Sequence, residues 1–271
     1  MSFLLTKVRF LLINVFLTLA GGVFSQDFEV APVLVSFDAN PGENQAQKLS
    51  IRNHGNERQK FVLNLVDFMV NDEGAKISFE AGSTDRTLVD WVTVNPSFVE
   101  LNPNESANVD LIITVPRTGF STRWGMIQVE VAKEQMPSEA DKQLSTGVII
   151  LPRIVVLVKQ SPRSNQNYRG TVTGLREIEE DAQGYRNYEA VLINTGDKIL
   201  DAKVFLALAN LETAEEKQFR KQAVTIYPEQ QRRVVLRLPE NPGTGQYALA
   251  VLMDYGHVTA IEGAQILLTV E

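Results

Sequence analysis

The 271-residue sequence has no cysteine and only two histidines, His54 and His257. Without cysteine there are no disulfides, thiolate metal sites, iron–sulfur clusters or cysteine nucleophiles. Two histidines that lie far apart in the chain do not suit a site that needs several imidazole groups. The sequence also lacks a glycine-rich phosphate-binding loop. We therefore expect no metal, no cofactor and no enzymatic activity.

Positive charge is also scarce, because 26 lysines and arginines stand against 33 aspartates and glutamates, which gives a net charge of −7. A nucleic-acid-binding protein needs a basic surface that neutralises phosphates. The charge balance therefore excludes nucleic acid as the expected partner. Hydrophobic residues make up 44% of the chain, which is enough for a packed core.

Long apolar runs are missing after the N-terminal segment. There, basic residues precede the apolar stretch Phe10–Leu19, and small residues follow it. This order is typical of a signal peptide, and the stretch is too short to suit a membrane span. We predict a signal peptide over residues 1–25 with cleavage before Gln26; cleavage after Ala20 and an uncleaved anchor are the alternatives. The mature chain is then expected in the periplasm or at the cell surface, without an integral membrane segment.

Short apolar runs with a period of two fill the rest of the chain. Val109, Leu111, Ile113 and Val115, for example, are separated by single residues that would face the opposite side of a strand. This alternation indicates half-buried antiparallel strands, and their number suits β-sandwiches. Within this pattern, the charged stretch Leu211–Arg220 is either one or two helical turns or an edge strand.

The two halves of the chain share a pattern. In each, a strand ends in an asparagine followed by small residues, at Asn53 and at Asn194. Asparagine suits such turns because its side chain bonds nearby backbone groups. A polar boundary lies near Gln160–Asn167. We therefore predict an all-β fold of two immunoglobulin-like sandwiches, over residues 26–160 and 168–271.

The first half resembles the PapD-like periplasmic chaperone family, and the second half resembles a generic bacterial immunoglobulin-like domain. The resemblance covers roughly residues 28–159. It is carried by the segments Val35–Asp38, Gln47–Asn53, Trp91–Pro103, Ala107–Pro116, Trp124–Val131 and Val148–Val158.

This resemblance implies that the protein holds a pilus or surface subunit by donating a strand to it, so that backbone hydrogen bonds provide the affinity. The candidate donor is the apolar run Val148–Val158. Its predicted partner-binding residues are Ile150, Pro152, Arg153, Ile154, Val156 and Val158. A continuous apolar run equally suits a buried core strand that the second domain covers, and the sequence leaves both interpretations open.

The resemblance also implies a basic pair in the cleft between the domains, which anchors the terminal carboxylate of the subunit. Arg153 is the nearest candidate for the lysine of that pair. No lysine or arginine lies in Phe28–Asp38, where its arginine partner is expected.

The resulting hypothesis is an exported, non-enzymatic protein whose partner is another exported protein, such as a pilus or surface subunit. The alternative is a cell-surface adhesion or polysaccharide-binding protein. In that alternative Trp91 and Trp124 could stack on sugars, although core packing is the stronger expectation for both.

Overall fold

The computed structural model describes residues 27–132, 152–239, 241–256 and 261–271. Within these ranges the chain forms strands and turns and no helix. Two predictions lie outside the described residues: the signal peptide, and the part of the apolar run before Pro152.

The first sandwich consists of two facing sheets. One sheet contains, in spatial order, β1 (Phe28–Ala31), β3 (Asn44–Asn53), β8 (Ser106–Thr114) and β6 (Val92–Asn95). The other contains β2 (Leu34–Phe37), β10 (Arg153–Gln160), β9 (Arg123–Val131), β4 (Gln59–Val70) and β5 (Lys76–Phe79), and β7 (Phe98–Leu101) also pairs with β4.

The alternation in the sequence builds the core between these sheets. In β8, Val109, Leu111 and Ile113 are fully buried, whereas the residues between them are exposed. Because successive side chains of a strand point to opposite faces, this pattern turns one face of β8 inward.

The second sandwich has a smaller and a larger sheet. The smaller sheet contains β11 (Gly170–Ile178), β12 (Asn187–Asn194) and β16 (Gln231–Arg237). The larger contains β14 (Glu216–Gln218), β13 (Leu200–Asn210), β17 (Gly245–Asp254) and β18 (Glu262–Val270), and β15 (Gln222–Ile226) also pairs with β13. The predicted all-β class is therefore confirmed. The stretch Leu211–Arg220 forms a turn and the short strand β14, which lies at the edge of its sheet, so it is an edge strand rather than a helix. Apart from the half-buried Phe219, its residues are exposed.

The two asparagines of the repeated pattern have the same role. The amide of Asn53 donates hydrogen bonds to the carbonyls of Glu57 (2.7 Å) and Leu101 (3.1 Å). The amide of Asn194 donates to the equivalent carbonyls of Lys198 (2.7 Å) and Ile226 (2.9 Å). Both side chains are buried, so each satisfies turn carbonyls that water does not reach.

The two sandwiches contact each other through an aromatic cluster. Tyr227 of the second sandwich packs against Trp124 and Phe68 of the first, with ring centroids 5.0 and 5.5 Å away. Beside the cluster, the guanidinium of Arg86 forms ion pairs with Asp197 and Glu229. Along the chain, the buried residues of the first core end at Val158 and those of the second begin at Val172, with Gln160–Asn167 between them.

Candidate functional site

Strand β10 is paired along its whole length on one side only. Towards β9, all eight residues from Arg153 to Gln160 pair in antiparallel register. Towards β2, pairing is parallel and includes only Leu157–Gln160. Among the described strands, none pairs with Arg153–Val156 on that second side. We call this unpaired side of Arg153–Val156 the open edge.

The backbone of the open edge is oriented for pairing. The amide of Leu157 donates to the carbonyl of Val33 (2.9 Å), so the backbone groups of Leu157 point towards β2. Because backbone direction alternates along a strand, the N–H and C=O groups of Arg153 and Val155 point the same way. Those of Ile154 and Val156 point towards β9. The open edge thus presents about four backbone groups to a further strand.

The open edge exists because the chain changes sheets just before β2. Phe28–Ala31 pairs with β3 in the opposite sheet, and Pro32 separates it from Leu34, where β2 begins. The chain therefore reaches β10 only from Val33 onward. Proline has no amide hydrogen to donate to a ladder, which suits the change of sheet.

Apolar side chains surround the open edge. Val33, Leu34 and Val155 are 59%, 48% and 37% exposed. Exposed apolar groups beside unpaired backbone groups are typical of an edge that a partner covers, since an uncovered edge of this kind promotes aggregation.

The open edge runs along the same strand into a cleft between the sandwiches. Leu157 and Lys159 of β10 line this cleft of about 290 Å³, and Tyr227, Arg232 and Asp201 of the second sandwich line its other wall. The ammonium of Lys159 lies 3.8 Å from the carboxylate of Asp201. Burial raises the pKa of Tyr227 to about 12, so its phenol is uncharged at physiological pH.

Arg232 is the second cation of the cleft. Its Nε and one terminal nitrogen are buried and have no hydrogen-bond partner among the described residues. Buried guanidinium nitrogens ordinarily have a partner, so these two are an exception among the buried polar atoms of the described residues.

A third cation, Lys198, lies in the adjoining pocket, which Lys159 also lines. Its ammonium donates to the carbonyl of Pro162 (2.8 Å), and burial lowers its pKa.

The predicted partner-binding residues separate into three groups. Ile150 lies outside the described residues. Val156 and Val158 are core residues, 0% and 1% exposed, and Ile154 packs partly buried against the same core. Only Pro152 and Arg153 remain at the surface, where Pro152 is half-buried. The described part of the apolar run therefore contributes Val156 and Val158 to the core of the first sandwich. The open edge lies at its N-terminal end, along Arg153–Val156.

The structure corrects the expected position of Arg153. It lies at the first position of β10, and its guanidinium pairs with the Glu130 carboxylate on β9 at 2.5 Å. Lys159 lines the cleft instead, six residues and about 20 Å further along the strand. Sequence reasoning overlooked Lys159 because the apolar run ends before it. It overlooked Val155 because β10 has apolar residues on both faces, so the sequence does not show which face is exposed.

Both tryptophans pack within the first sandwich. Trp124 is buried, and its indole N–H donates to the Phe68 carbonyl (2.9 Å). Trp91 is half-buried, and the guanidinium of Arg123 lies 4.5 Å from its ring centroid. The expectation of core packing therefore describes both residues better than sugar stacking.

The described residues contain no group of three or more histidine, cysteine, aspartate or glutamate residues that could hold a metal ion. They also contain no helix that is long and apolar enough to cross a membrane.

Comparison with known proteins finds similarity among solved structures. No family model matches the chain, and no curated protein matches it in sequence. The class 5 fimbriae chaperone CfaA is 15% identical, with 89% of this chain and 98% of that chain covered and a TM-score of 0.48. The YadV chaperone is 9% identical, with coverage of 90% and 100% and a TM-score of 0.45. A chain from the complex of Salmonella enterica SafA pilin with the SafB chaperone is 12% identical, with coverage of 91% and 99% and a TM-score of 0.42.

The pattern repeated in the two halves of the sequence predicted two immunoglobulin-like sandwiches, and the sheets of the structure have that arrangement. The chain has the all-β fold of two immunoglobulin-like sandwiches that the resemblance to PapD-like chaperones implies.

Proposed function

We propose that the protein is an exported chaperone that holds another exported protein by strand addition at the open edge of β10. The observation that carries this proposal is how β10 pairs with the other described strands: Leu157–Gln160 has neighbours on both sides, and Arg153–Val156 has a neighbour on one side. The expected location is the periplasm or the cell surface, as the predicted signal peptide implies.

Energetics favour an extended segment as the bound partner. A strand that adds beside Arg153–Val156 gains hydrogen bonds to backbone groups that otherwise bond water, each worth about 1 kcal/mol. Its side chains on the outer face meet Val33, Leu34 and Val155, whose exposed apolar area it covers. Strand addition combines these two contributions, since the backbone provides affinity and alternate side chains provide specificity.

The two cations that line the cleft favour the binding of an acidic group of the partner. Lys159 is the cation of the long strand β10 that lines this cleft. The second cation is Arg232 from the second sandwich, since β2 has no arginine. We propose that these two side chains together hold a carboxylate of the bound protein, with Asp201 as the counter-ion of Lys159 in the unbound state.

Substitution of Val155 tests the proposal. Val155→Pro removes an amide that points to the open edge and leaves the ladder to β9 intact, whereas Val155→Thr keeps that amide. A photo-crosslinking residue at Gln128, which is the neighbour of Val155 on β9, reports what binds. We expect one exported protein to co-purify and crosslink with the wild type and with Val155→Thr, and to be lost with Val155→Pro.

Two results would contradict the proposal. One is a partner that Val155→Pro retains, because binding would then not use the open edge. The other is binding to polysaccharide that is unchanged in Val155→Pro, which would favour the adhesion alternative. Lys159→Ala with Lys159→Arg as its control tests the cleft separately: we expect weaker capture with alanine and near-normal capture with arginine.

A further inference from the structure

A second edge of the molecule, on the second sandwich, is also partly unpaired. Strand β16 lies at the edge of its sheet and pairs with β12 on one side. On its other side, the amide of Arg233 donates to the carbonyl of Asp72 (2.8 Å), in the turn between β4 and β5. This bond shows that the backbone groups of Arg233 point away from β12.

The rest of this edge is open beyond that contact. Since backbone direction alternates, Val235 and Arg237 point their N–H and C=O groups the same way as Arg233. No strand in the described part of the chain pairs with them on that side. Val235 is also 50% exposed, so an apolar side chain accompanies the unpaired backbone.

A groove of about 610 Å³ lies beside this edge, and we call it the β16 groove. Leu206, Phe219 and Leu236 give it apolar walls, and the segment from Phe219 to Ala223, which leads from β14 into β15, forms its far side. The groove thus lies between the outer side of β16 and the segment that leads into β15. A strand added to β16 would place alternate side chains over it.

The charge at the β16 groove is positive, in a chain whose net charge is −7. Arg220, Lys221 and Arg237 line it together with uncharged residues, and no described lining residue is acidic. Arg237 is held in place by Asp181 (3.0 Å) and by the Tyr185 ring, 3.8 Å below its guanidinium. Lys221 lies over the Phe205 ring (4.6 Å), whereas Arg220 is exposed.

We propose that the β16 groove binds an extended peptide segment in which apolar residues alternate with acidic ones. The apolar residues face the groove, the acidic residues meet Arg220, Lys221 and Arg237, and the peptide backbone pairs with Val235 and Arg237. The unpaired backbone favours a peptide over an anionic lipid, because a lipid leaves those hydrogen-bonding groups unused. This site does not involve β10, so it is independent of the function proposed above.

The test uses a fluorescent ten-residue peptide of alternating valine and aspartate, and its binding is measured by fluorescence anisotropy. Val235→Pro removes the open amide of β16 and keeps the ladder to β12. Val155→Pro makes the same change at the open edge of β10 and is the matched control. We expect binding to weaken about tenfold with Val235→Pro, as the loss of one or two hydrogen bonds predicts, and to change little with Val155→Pro.

Charge is tested with Lys221→Glu and with Lys48→Glu, which makes the same charge change on the first sandwich. We expect Lys221→Glu to weaken peptide binding about fivefold, and added salt to weaken binding to the wild type. Melting temperatures of all variants check that each remains folded. If Val235→Pro unfolds, Val235→Thr, which keeps the amide, is used in its place. Val235→Thr should bind the peptide like the wild type. A peptide that is N-methylated at alternate residues should not bind, because it lacks the backbone donors for pairing.

Three results would overturn the proposal. The first is loss of peptide binding with Val155→Pro but not with Val235→Pro, which assigns the peptide to β10. The second is the absence of peptide binding to the wild type. The third is that the wild type binds vesicles made of equal parts of phosphatidylcholine and phosphatidylglycerol but does not bind the peptide, and that Lys221→Glu abolishes the vesicle binding.

Discussion

The amide of Leu157 donates a hydrogen bond to the carbonyl of Val33, at 2.9 Å, and this bond is where pairing between β10 and β2 begins. It separates two parts of one strand. From Leu157 onward β10 is an interior strand of its sheet, and before Leu157 it is an edge among the described strands. A single strand thus contributes to the core and also carries backbone groups that no described strand pairs.

Proline substitutions at the adjacent positions Val155 and Val156 of β10 should destabilise the protein to different extents. Val155→Pro removes an amide that points to the open edge, so we expect the free energy of unfolding to fall by about 1 kcal/mol or less. Val156→Pro removes a ladder bond to β9 and a core side chain, so we expect a loss of about 3 kcal/mol. Urea unfolding of the two variants measures the difference. Equal losses would mean that the assigned directions of the backbone groups are wrong.

Charged substitutions on the two faces of β10 should differ in how much they lower the free energy of unfolding. Val156 is fully buried in the core of the first sandwich, so Val156→Asp should cost about 4 kcal/mol and leave little folded protein. Val155→Asp places the charge in a partly exposed position on the outer face and should cost much less. Thermal melts compare the two. Because Val156 is a core residue, Val155 rather than Val156 is the position at which a charge tests partner binding without unfolding the chain.

The ion pairs of Arg86 should stabilise the contact between the sandwiches. Its guanidinium contacts Asp197 and Glu229 and also donates to the Thr122 carbonyl (3.1 Å). Because the Arg86 and Asp197 side chains are both largely buried, we expect Arg86→Ala to cost about 2 kcal/mol. Trp124 fluorescence during urea unfolding measures this effect, since Trp124 lies at the contact.

The matched control is Arg163→Ala. Arg163 also forms two ion pairs, with Asp38 and Glu43, but its side chain and both partners are about half exposed. Its loss should cost no more than about 0.5 kcal/mol. An Arg163→Ala effect as large as that of Arg86→Ala would contradict the role of burial.

High pH should weaken the fold through Tyr227. Burial raises its pKa to about 12 in the folded protein, against the ordinary value of 10. Above pH 10 the unfolded chain loses the phenol proton and the folded chain keeps it, so stability is lost as pH rises from 10 towards 12. The loss from this group should approach about 2 kcal/mol.

The comparison that checks this prediction is Tyr227→Phe, which should lose less stability than the wild type between pH 9 and pH 12. Part of the loss should remain in the variant, because burial also raises the pKa of Tyr188 to about 12. Identical pH profiles for the wild type and Tyr227→Phe would show that Tyr227 ionises equally easily in both states.

Most of the fold was predictable because its signals are local. Alternation in β8 indicated which side chains are buried, and the paired asparagines, Asn53 and Asn194, indicated the repeat. Both signals act within a few residues, through the opposite directions of neighbouring side chains and through turn hydrogen bonds. The positions of Arg153 and Lys159 relative to the cleft were not predictable in this way. They depend on which strands lie beside β10, and those strands come from distant parts of the chain.

The sequence alone determined that the chain is all-β, that it has two sandwiches, and that cysteine chemistry is absent. It could not decide which part of the apolar run is core and which part is edge, because Val155 and Leu157 are as apolar as Val156 and Val158. Only the tertiary structure decided this. The change of sheet at Pro32 brings β2 against β10 no earlier than Leu157, and the second sandwich covers Leu157 on the outer face. An edge is defined by the absence of a neighbouring strand, and pairing between residues more than a hundred positions apart leaves no local pattern in the sequence.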